Sequence, residues 1–324
     1  RDDLVTGVQT CALPISNNVD KVHWWMRNQD AVDHINKFNH NPNYLSSVSF
    51  EDGKLNVSTD LADVLEQAEI IVLVIPSAFI QEAFKNVSST NFEGKTIFSA
   101  VKGIVPELHS IAAKFLHNQY NIHYENIGII SGPCHAEEVA MEKLSYLTIA
   151  CLDEDKAKKM GDLLSCRYIK TSVTEDVFGT EISAVYKNVV AISSGICHGL
   201  GYGDNFQAVL MSNAIREIER FVDAVSPVHR DVKSSAYLGD LLVTGYSQFS
   251  RNRTFGNMLG KGYSVKSAQL EMNMIAEGYY ASKSIVEINK EFNVDIPIAS
   301  AVYRILYEKV TPMIEMKILA DQLS

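Results

Sequence analysis

Between Val22 and Thr171, short apolar runs alternate with stretches of helical periodicity, and this constrains the fold more than any other feature of the chain. Val22–Met26 reads as a strand and Asp30–Phe38 as a helix. Asp60 can accept from the free N–H groups of a helix running to Gln67. Ile70–Ile75 is apolar throughout, which suits a strand covered on both faces, and Pro76 closes it. A helix over Ser77–Asn86 and a strand over Thr96–Val101 follow, the strand ended by Lys102-Gly103. Pro106–His117 reads as a helix with proline near its start, and Ile127–Ile130 as a strand ended by Ser131-Gly132-Pro133. Leu147–Cys151 and Tyr168–Thr171 are two more strands, separated by a helix over Asp155–Leu164. Such alternation implies a mostly parallel, doubly wound, Rossmann-like sheet. After about Thr174 strand runs cease, and helical periodicity continues to the C-terminus with breaks at Gly199–Gly203, Gly239 and Gly260–Gly262. The expected fold is therefore α/β: a Rossmann-like domain over residues 1–172, then an all-helical domain over residues 173–324.

The bulk numbers exclude several classes of function. The chain has 324 residues, 46% hydrophobic and 21% charged, as expected of a globular protein with two domains. No run of about 18 apolar residues exists, so no membrane span is expected. The formal charge is −10, and no basic block stands out. Nucleic acid is therefore a poor partner, since neutralising phosphates needs clustered Lys and Arg, whereas a small anion needs only a few local cations. The five cysteines are Cys11, Cys134, Cys151, Cys166 and Cys197. They are scattered and include no CxxC pair, which argues against a disulfide framework or zinc site and fits a reducing cytoplasm. The nine histidines lack paired ligand spacing, so no metal is expected.

Residues 1–16, RDDLVTGVQTCALPIS, stand apart. They lack the basic region and clean apolar core of a secretory signal, and Pro14 with the polar residues interrupts any strand. They resemble a translated sequencing adapter more than protein. We expect a segment foreign to the fold, against the alternative of a divergent N-terminus.

Several residues have the chemistry of a site. Lys187 lies within the apolar helical stretch Val185–Ile192, with Asn188 beside it. Burial would lower its pKa and make it a usable proton donor and acceptor; a surface lysine reaching out to water is the competing reading. Ser250-Arg251-Asn252 offers a planar guanidinium fork suited to phosphate, with neutral donors on either side; alternatively it is a charged loop before the helix near Phe255. Lys102 and Gly132-Pro133-Cys134-His135-Ala136 each follow a strand, where open α/β sheets bind ligands, although a lysine at a strand end can equally be solvated. Cys134 is a weak side-chain donor but has a backbone N–H. Asp240 follows Gly239 at a helix boundary, where an N-cap role is the common one. Arg27 ends the first strand, at the point where an acid would select the ribose hydroxyl of NAD and an arginine accommodates the 2′-phosphate of NADP.

A set of short motifs in fixed order carries a resemblance extending from about Asn17 to the end. They are Trp25-Met26-Arg27-Asn28, Asn41-Pro42-Asn43-Tyr44-Leu45, Val74-Ile75-Pro76-Ser77, Val101-Lys102-Gly103, Ser131-Gly132-Pro133, Tyr186-Lys187-Asn188-Val189, Gly239-Asp240-Leu241, Ser250-Arg251-Asn252-Arg253 and Ala276-Glu277-Gly278. In this order the chain resembles the bacterial-type NAD(P)-dependent glycerol-3-phosphate dehydrogenases. The resemblance implies interconversion of dihydroxyacetone phosphate and sn-glycerol 3-phosphate with NADP or NAD, in the cytoplasm, supplying glycerol phosphate for phospholipid synthesis. It implies Lys187 as the catalytic residue, and Lys102, Gly132, Cys134, Asp240, Ser250, Arg251 and Asn252 as substrate-binding residues. Arg27, Tyr44, Lys102, Ala136, Arg251 and Glu277 would meet the cofactor. The family usually has Ser at the Cys134 position and an aromatic residue at the His135 position. It also begins with a strand and a GxGxxG turn, which here should precede Asn17; residues 1–16 contain only Gly7. That departure opens a second reading, a pseudoenzyme or a protein that binds a phosphorylated ligand without turnover. The sequence does not fix the oligomeric state, and a homodimer is compatible with it.

Overall fold

The computed structural model describes residues 6–272 and 276–324. The chain forms two compact units, one of Arg1–Val101 with Ala112–Val177, the other of Lys102–Ile111 with Phe178–Ser324. The first unit runs α1 (Thr6–Asn18), β1 (Val22–Trp25), α2 (Gln29–Phe38), β2 (Leu55–Ser58), α3 (Leu61–Gln67), β3 (Ile70–Leu73), α4 (Ile80–Ala83), β4 (Thr96–Ser99), α5 (Ala112–Tyr120), β5 (Ile127–Ser131), α6 (Ala136–Ala140), β6 (Ser145–Cys151), α7 (Glu154–Leu164) and β7 (Ile169–Thr174). The second is helical: α8 (Val177–Gly199), α9 (Asp204–Val225), α10 (Asp240–Tyr246), α11 (Arg251–Gly260), α12 (Val265–Glu271), α13 (Glu277–Phe292), α14 (Pro297–Tyr307) and α15 (Pro312–Ala320). This is the expected fold class, a Rossmann-like sheet followed by helices.

Among the described residues the strands of the first unit form two sheets. One is the parallel pair β1–β2. The other has the order β3-β4-β5-β6-β7, parallel throughout except for the antiparallel pair β5–β6. A doubly wound sheet of order 3-2-1-4-5-6 would split in this way if strand 1 were taken out of its centre. Each sheet is thus left with an edge, β1 on one side and β3 on the other. In β3, Ile70, Ile71 and Val72 are only half-buried although wholly apolar, whereas every residue of β5 is buried.

A single helix serves both sheets. Cys11 of α1 packs with Phe98 and Ile130 of the larger sheet, and Ala12 packs with Trp24 and Met26 of the smaller. Leu13 touches both clusters. The side chain of Asn18 donates to the carbonyls of Leu163 (3.0 Å) and Ser165 (3.1 Å), satisfying orphan acceptors at the end of α7. The sequence reading found no strand in residues 1–16 and expected a segment foreign to the fold; the structure instead has a helix over Thr6–Asn18, with Pro14 inside it. Burial of Cys11, Ala12, Pro14 and Ser16 supplies what propensity does not, because most helical stability in proteins comes from packing. Residues 1–5 lie outside the described residues.

Other local expectations hold with adjusted bounds. Asp60 caps α3 through the N–H groups of Ala62 and Asp63. Asn28, which the sequence reading did not single out as a cap, caps α2 through Ala31. The helix expected over Ser77–Asn86 is instead a 3₁₀ turn at Ser77–Phe79 followed by the short α4. α4 ends at Ala83, and Ser88, whose N–H goes to the Asn91 side chain at 2.9 Å, opens a separate 3₁₀ turn over Ser89–Phe92. Pro106–His117 is helical only from Ala112. Its first part forms turns, with Val105 bridged to Ser110, because Ile104 and Ile111 are drawn into the core of the second unit. β2 was not anticipated, since Leu-Asn-Val-Ser has only two apolar residues.

The second unit is built around α8. Val185, Tyr186, Val189, Val190, Ala191 and Ile192 are all buried, so apolar residues surround the helix on every side. α11 crosses it at backbone contact: a methyl group at Gly256 would lie 2.1 Å from the Ile192 carbonyl oxygen, and one at Gly195 would lie 2.1 Å from that of Arg253. Glu217 of α9 is also buried. It accepts from the Tyr186 hydroxyl (2.7 Å) and from the N–H groups of Ile298 (2.8 Å) and Ala299 (2.9 Å), capping α14 from outside. Desolvation pushes its carboxyl up to about 7, against the pull of these three donors.

Candidate active site

In the second unit, one carboxylate faces two lysines. Lys187 projects from the middle of α8 and is 4% exposed. Its ammonium forms an ion pair with Asp240 Oδ1. The other oxygen, Oδ2, lies 3.5 Å from Lys102 Nζ, which is half-exposed. Two ammonium groups on one carboxylate leave a net charge of about +1 where an anion or a developing alkoxide can be stabilised. Asn188, the next residue of α8, donates Nδ2 to the Lys102 carbonyl at 2.7 Å and holds that segment against the helix. This cluster is a local account of why Lys102–Ile111 belongs to the second unit.

Burial drives the chemistry of Lys187. Desolvation lowers its pKa from 10.5 to about 7, Asp240 pulls it back up, and Lys102 lowers it further. An ammonium that titrates near neutrality can both give and take a proton, which a solvated lysine cannot.

Asp240 is delivered by unusual backbone. A π-helical turn over Ser235–Gly239 runs directly into α10, and Gly239 already has helical angles (φ −61°, ψ −48°). Asp240 is therefore not the N-cap that its position after a glycine suggested: the chain is helical before it, and its side chain turns to the lysines. α10 is itself anchored. Ser194 donates to the Gly245 carbonyl at 2.8 Å, and Gln207 Nε2 donates to the Ser194 carbonyl at 3.0 Å.

The three residues at the start of α11 divide the work of a helix terminus. Ser250 is the N-cap, accepting from the Arg253 N–H at 3.3 Å, so its oxygen is engaged in the helix. Arg251 is the first helical residue and is half-buried. Asn252 is buried, and its Oδ1 accepts from the Gly278 N–H at 2.9 Å. Glu277 is half-buried at the start of α13.

The first unit holds the remaining candidates. Arg27 follows β1, and its guanidinium lies over the Phe79 ring, 5.8 Å from the centroid. Phe79 follows β3, so this cation–π contact joins the carboxyl ends of two strands in separate sheets. Sequence reasoning missed Phe79, because a single Phe after a Pro-Ser turn has no signal of its own. Tyr44 donates its hydroxyl to Glu137 Oε1 at 2.8 Å. Gly132 has φ +123°, and a methyl group there would lie 2.6 Å from the Tyr146 carbonyl oxygen, so only glycine fits. Cys134 is half-buried and packs against the apolar cluster around Phe98 and Ile149. Ala136 is the buried first residue of α6.

Among the described residues no group of three or more His, Cys, Asp or Glu could hold a metal ion, and no helix is long and apolar enough to cross a membrane.

Comparison with known proteins adds to this geometry. Residues 9–157 match the family described as the NAD-dependent glycerol-3-phosphate dehydrogenase N-terminus, and residues 176–317 match its C-terminus. A glycerol-3-phosphate dehydrogenase [NAD(P)+] from Staphylococcus aureus is 33% identical over 298 residues, covering 92% of this chain and 90% of the relative. Among solved structures, a glycerol-3-phosphate dehydrogenase from Coxiella burnetii superposes with a TM-score of 0.90 at 26% identity, covering 97% of this chain and 95% of that one. A D-mandelate dehydrogenase solved with NADH shares only the fold, at a TM-score of 0.60 and 14% identity over 99% of this chain and 97% of that one. With both halves of the family matched in order, the chain belongs to the NAD-dependent glycerol-3-phosphate dehydrogenases.

Proposed function

We propose that this chain interconverts dihydroxyacetone phosphate and sn-glycerol 3-phosphate with NADP or NAD, in the cytoplasm. One observation carries the reading: a buried lysine whose proton is exchangeable near neutrality, held by a carboxylate shared with a second lysine. In the direction of reduction, Lys187 Nζ gives its proton to the ketone oxygen, the carbon–oxygen π bond opens, and an alcohol forms. Asp240 orients the ammonium and keeps enough positive charge on it to be a donor. Lys102 adds a second cation beside the developing charge. Arg251 takes the phosphate through its planar fork, and Asn252 adds amide donors. Gly132 and Cys134 of the first unit are further substrate candidates through the backbone N–H groups around them, and Ser250 contributes by capping the helix that carries Arg251.

The donor set fits a nicotinamide dinucleotide in part. Arg27 over Phe79 offers a cation and an aromatic wall at strand ends, as the 2′-phosphate and adenine of NADP require. Tyr44, Ala136, Lys102, Arg251 and Glu277 are the other cofactor candidates. When bound, the cofactor supplies the hydride. The glycine fingerprint that cradles a pyrophosphate in such folds has no counterpart in the sequence of residues 1–16, where Gly7, the one glycine, lies in the first turn of α1. That departure favours the second reading, a protein that keeps the phosphate site without turnover.

The test is oxidation of NADPH by dihydroxyacetone phosphate with the purified chain, beside Lys187→Ala. Turnover that falls about 10²–10⁴-fold in the variant supports the assignment. Absence of turnover with intact binding of glycerol 3-phosphate would establish the second reading.

A further inference from the structure

The amide of Asn252 meets two demands at once. It lies at the second position of α11, buried, and its oxygen accepts from the backbone N–H of Gly278 at 2.9 Å. Gly278 is the second residue of α13, so its N–H is one of the orphan donors at a helix start. The N-cap of α13 is Ala276, which has no side-chain oxygen to offer. Asn252 therefore does for α13, from another helix, what an N-cap residue does from its own. The carbamoyl group has only one acceptor atom, and the opposite flip would set two donors against each other. The oxygen is thereby committed to Gly278. Among the described residues Nδ2 donates to no other group, and both of its hydrogens remain for a ligand.

Gly278 is also in contact with the helix that carries Lys187. A methyl group on it would lie 2.5 Å from the carbonyl oxygen of Asn188 and 2.8 Å from Ile192 Cδ1. The start of α13 thus rests on the backbone of α8 one residue beyond Lys187, a closeness only glycine permits. We infer that Gly278 is a positioning residue of the phosphate subsite: its N–H sets the Asn252 amide with the donors outward, and its missing side chain fixes α11 relative to Lys187. This rests on the reading of Asn252 as a phosphate ligand given above.

Two substitutions at Asn252 separate the two duties. Asn252→Asp keeps an acceptor for Gly278 but loses both donors and adds a negative charge. Asn252→Ala loses everything. The expected result is a thermal midpoint for Asn252→Asp at or above that of the parent chain. Asn252→Ala should melt about 2–4 °C lower, the usual effect of losing a cap in a chain of this size. Equal destabilisation by the two would overturn the inference. Gly278→Ala tests positioning directly. KM for dihydroxyacetone phosphate and the inhibition constant for inorganic phosphate should rise together by about tenfold or more, with kcat changing less than about threefold. Unphosphorylated dihydroxyacetone should be reduced as before. A purely structural role would lower kcat for both substrates in proportion and leave KM alone, and that outcome, or an unchanged phosphate constant, refutes the positioning role. If Gly278→Ala does not fold, the Asn252 pair still decides the orientation of the amide. If Asn252→Asp keeps the preference for the phosphorylated ketone, the phosphate reading itself fails, and the melting data show separately whether Asn252 caps α13.

Discussion

The titration of Lys187 makes the most exposed prediction. With its pKa brought down to about 7, the ammonium is mostly charged at pH 6 and mostly neutral at pH 9. Reduction of the ketone needs the charged form, and oxidation of the alcohol needs the neutral one. The kcat/KM for reduction should therefore fall with rising pH, by about 10²-fold between pH 6 and pH 9, while that for oxidation rises through the same midpoint. A solvated lysine near 10.5 would give a flat profile over this range. The sign for stability follows from the same shift. The unfolded chain holds its proton up to about 10.5 and the folded chain releases it near 7, so this group makes the fold less stable at neutral pH than at high pH. The cost at neutrality is on the order of 5 kcal/mol. The assay is initial-rate kinetics in both directions from pH 6 to pH 9.5, repeated with Lys187→Ala, whose residual rate reveals any titration of the substrate phosphate. A flat reduction profile, or a limb near pH 7 that survives in Lys187→Ala, would remove Lys187 from proton transfer.

Further outcomes follow from the same geometry. Asp240→Asn removes the group that raises the Lys187 pKa, so the limb in the reduction profile should move to lower pH; a shift to higher pH would contradict the assigned roles. Arg251→Ala should harm dihydroxyacetone phosphate far more than unphosphorylated dihydroxyacetone, because a charge-assisted bidentate pair is lost. Equal losses in kcat/KM would show that Arg251 does not read the phosphate. Arg27→Asp should shift preference from NADPH toward NADH, since a carboxylate repels a 2′-phosphate and accepts from a ribose hydroxyl; an unchanged ratio of kcat/KM for the two cofactors would refute it. Replacing residues 1–8 with a β-branched strand and a GxGxxG turn should raise NADPH affinity and the thermal midpoint together. Comparable affinity by calorimetry in both chains would mean that the present segment already binds the pyrophosphate.

The parts of this molecule that could be read from sequence are those decided locally. Ile70–Leu73, Thr96–Ser99 and Ile127–Ser131 announce themselves as apolar runs between breakers, and Asp60 caps the helix that follows it. The chemical character of Lys187 was legible for a similar reason: six apolar residues within Val185–Ile192 imply burial of the ammonium among them wherever the helix goes. Its partners were not legible in this way. Asp240 looks like an N-cap until the π-helical turn before it is seen, and no local pattern distinguishes a helix that begins at Asp240 from one that is already running. Lys102 reads as the end of a strand in the first unit, yet Ile104 and Ile111 take their segment into the core of the second. Such choices are made by tertiary packing, between residues more than fifty positions apart.

The N-terminal segment shows the same limit from the other side. By composition, residues 1–16 have no claim to a place in the fold, and Pro14 argues against a helix. Yet a buried helix needs little more than small and apolar residues at the right spacing, and Cys11, Ala12 and Leu13 meet that requirement against two sheets at once. A central parallel strand has stricter needs. It must present hydrogen-bonding groups in register to both neighbours and be apolar on both faces. Among the described residues β1 and β3 each pair on one side only, and the apolar residues of β3 stay half-buried. The contact of Arg27 with Phe79 nevertheless joins the carboxyl ends of β1 and β3. Those ends are where a doubly wound sheet binds its dinucleotide. The walls for the adenine end are thus set by strands that share no neighbour among the described residues. The pyrophosphate cradle depends on that neighbour and on the turn that follows it. Adenosine 2′,5′-bisphosphate, which carries the adenine and the 2′-phosphate but no pyrophosphate, should therefore lose less affinity in this chain than NADPH does.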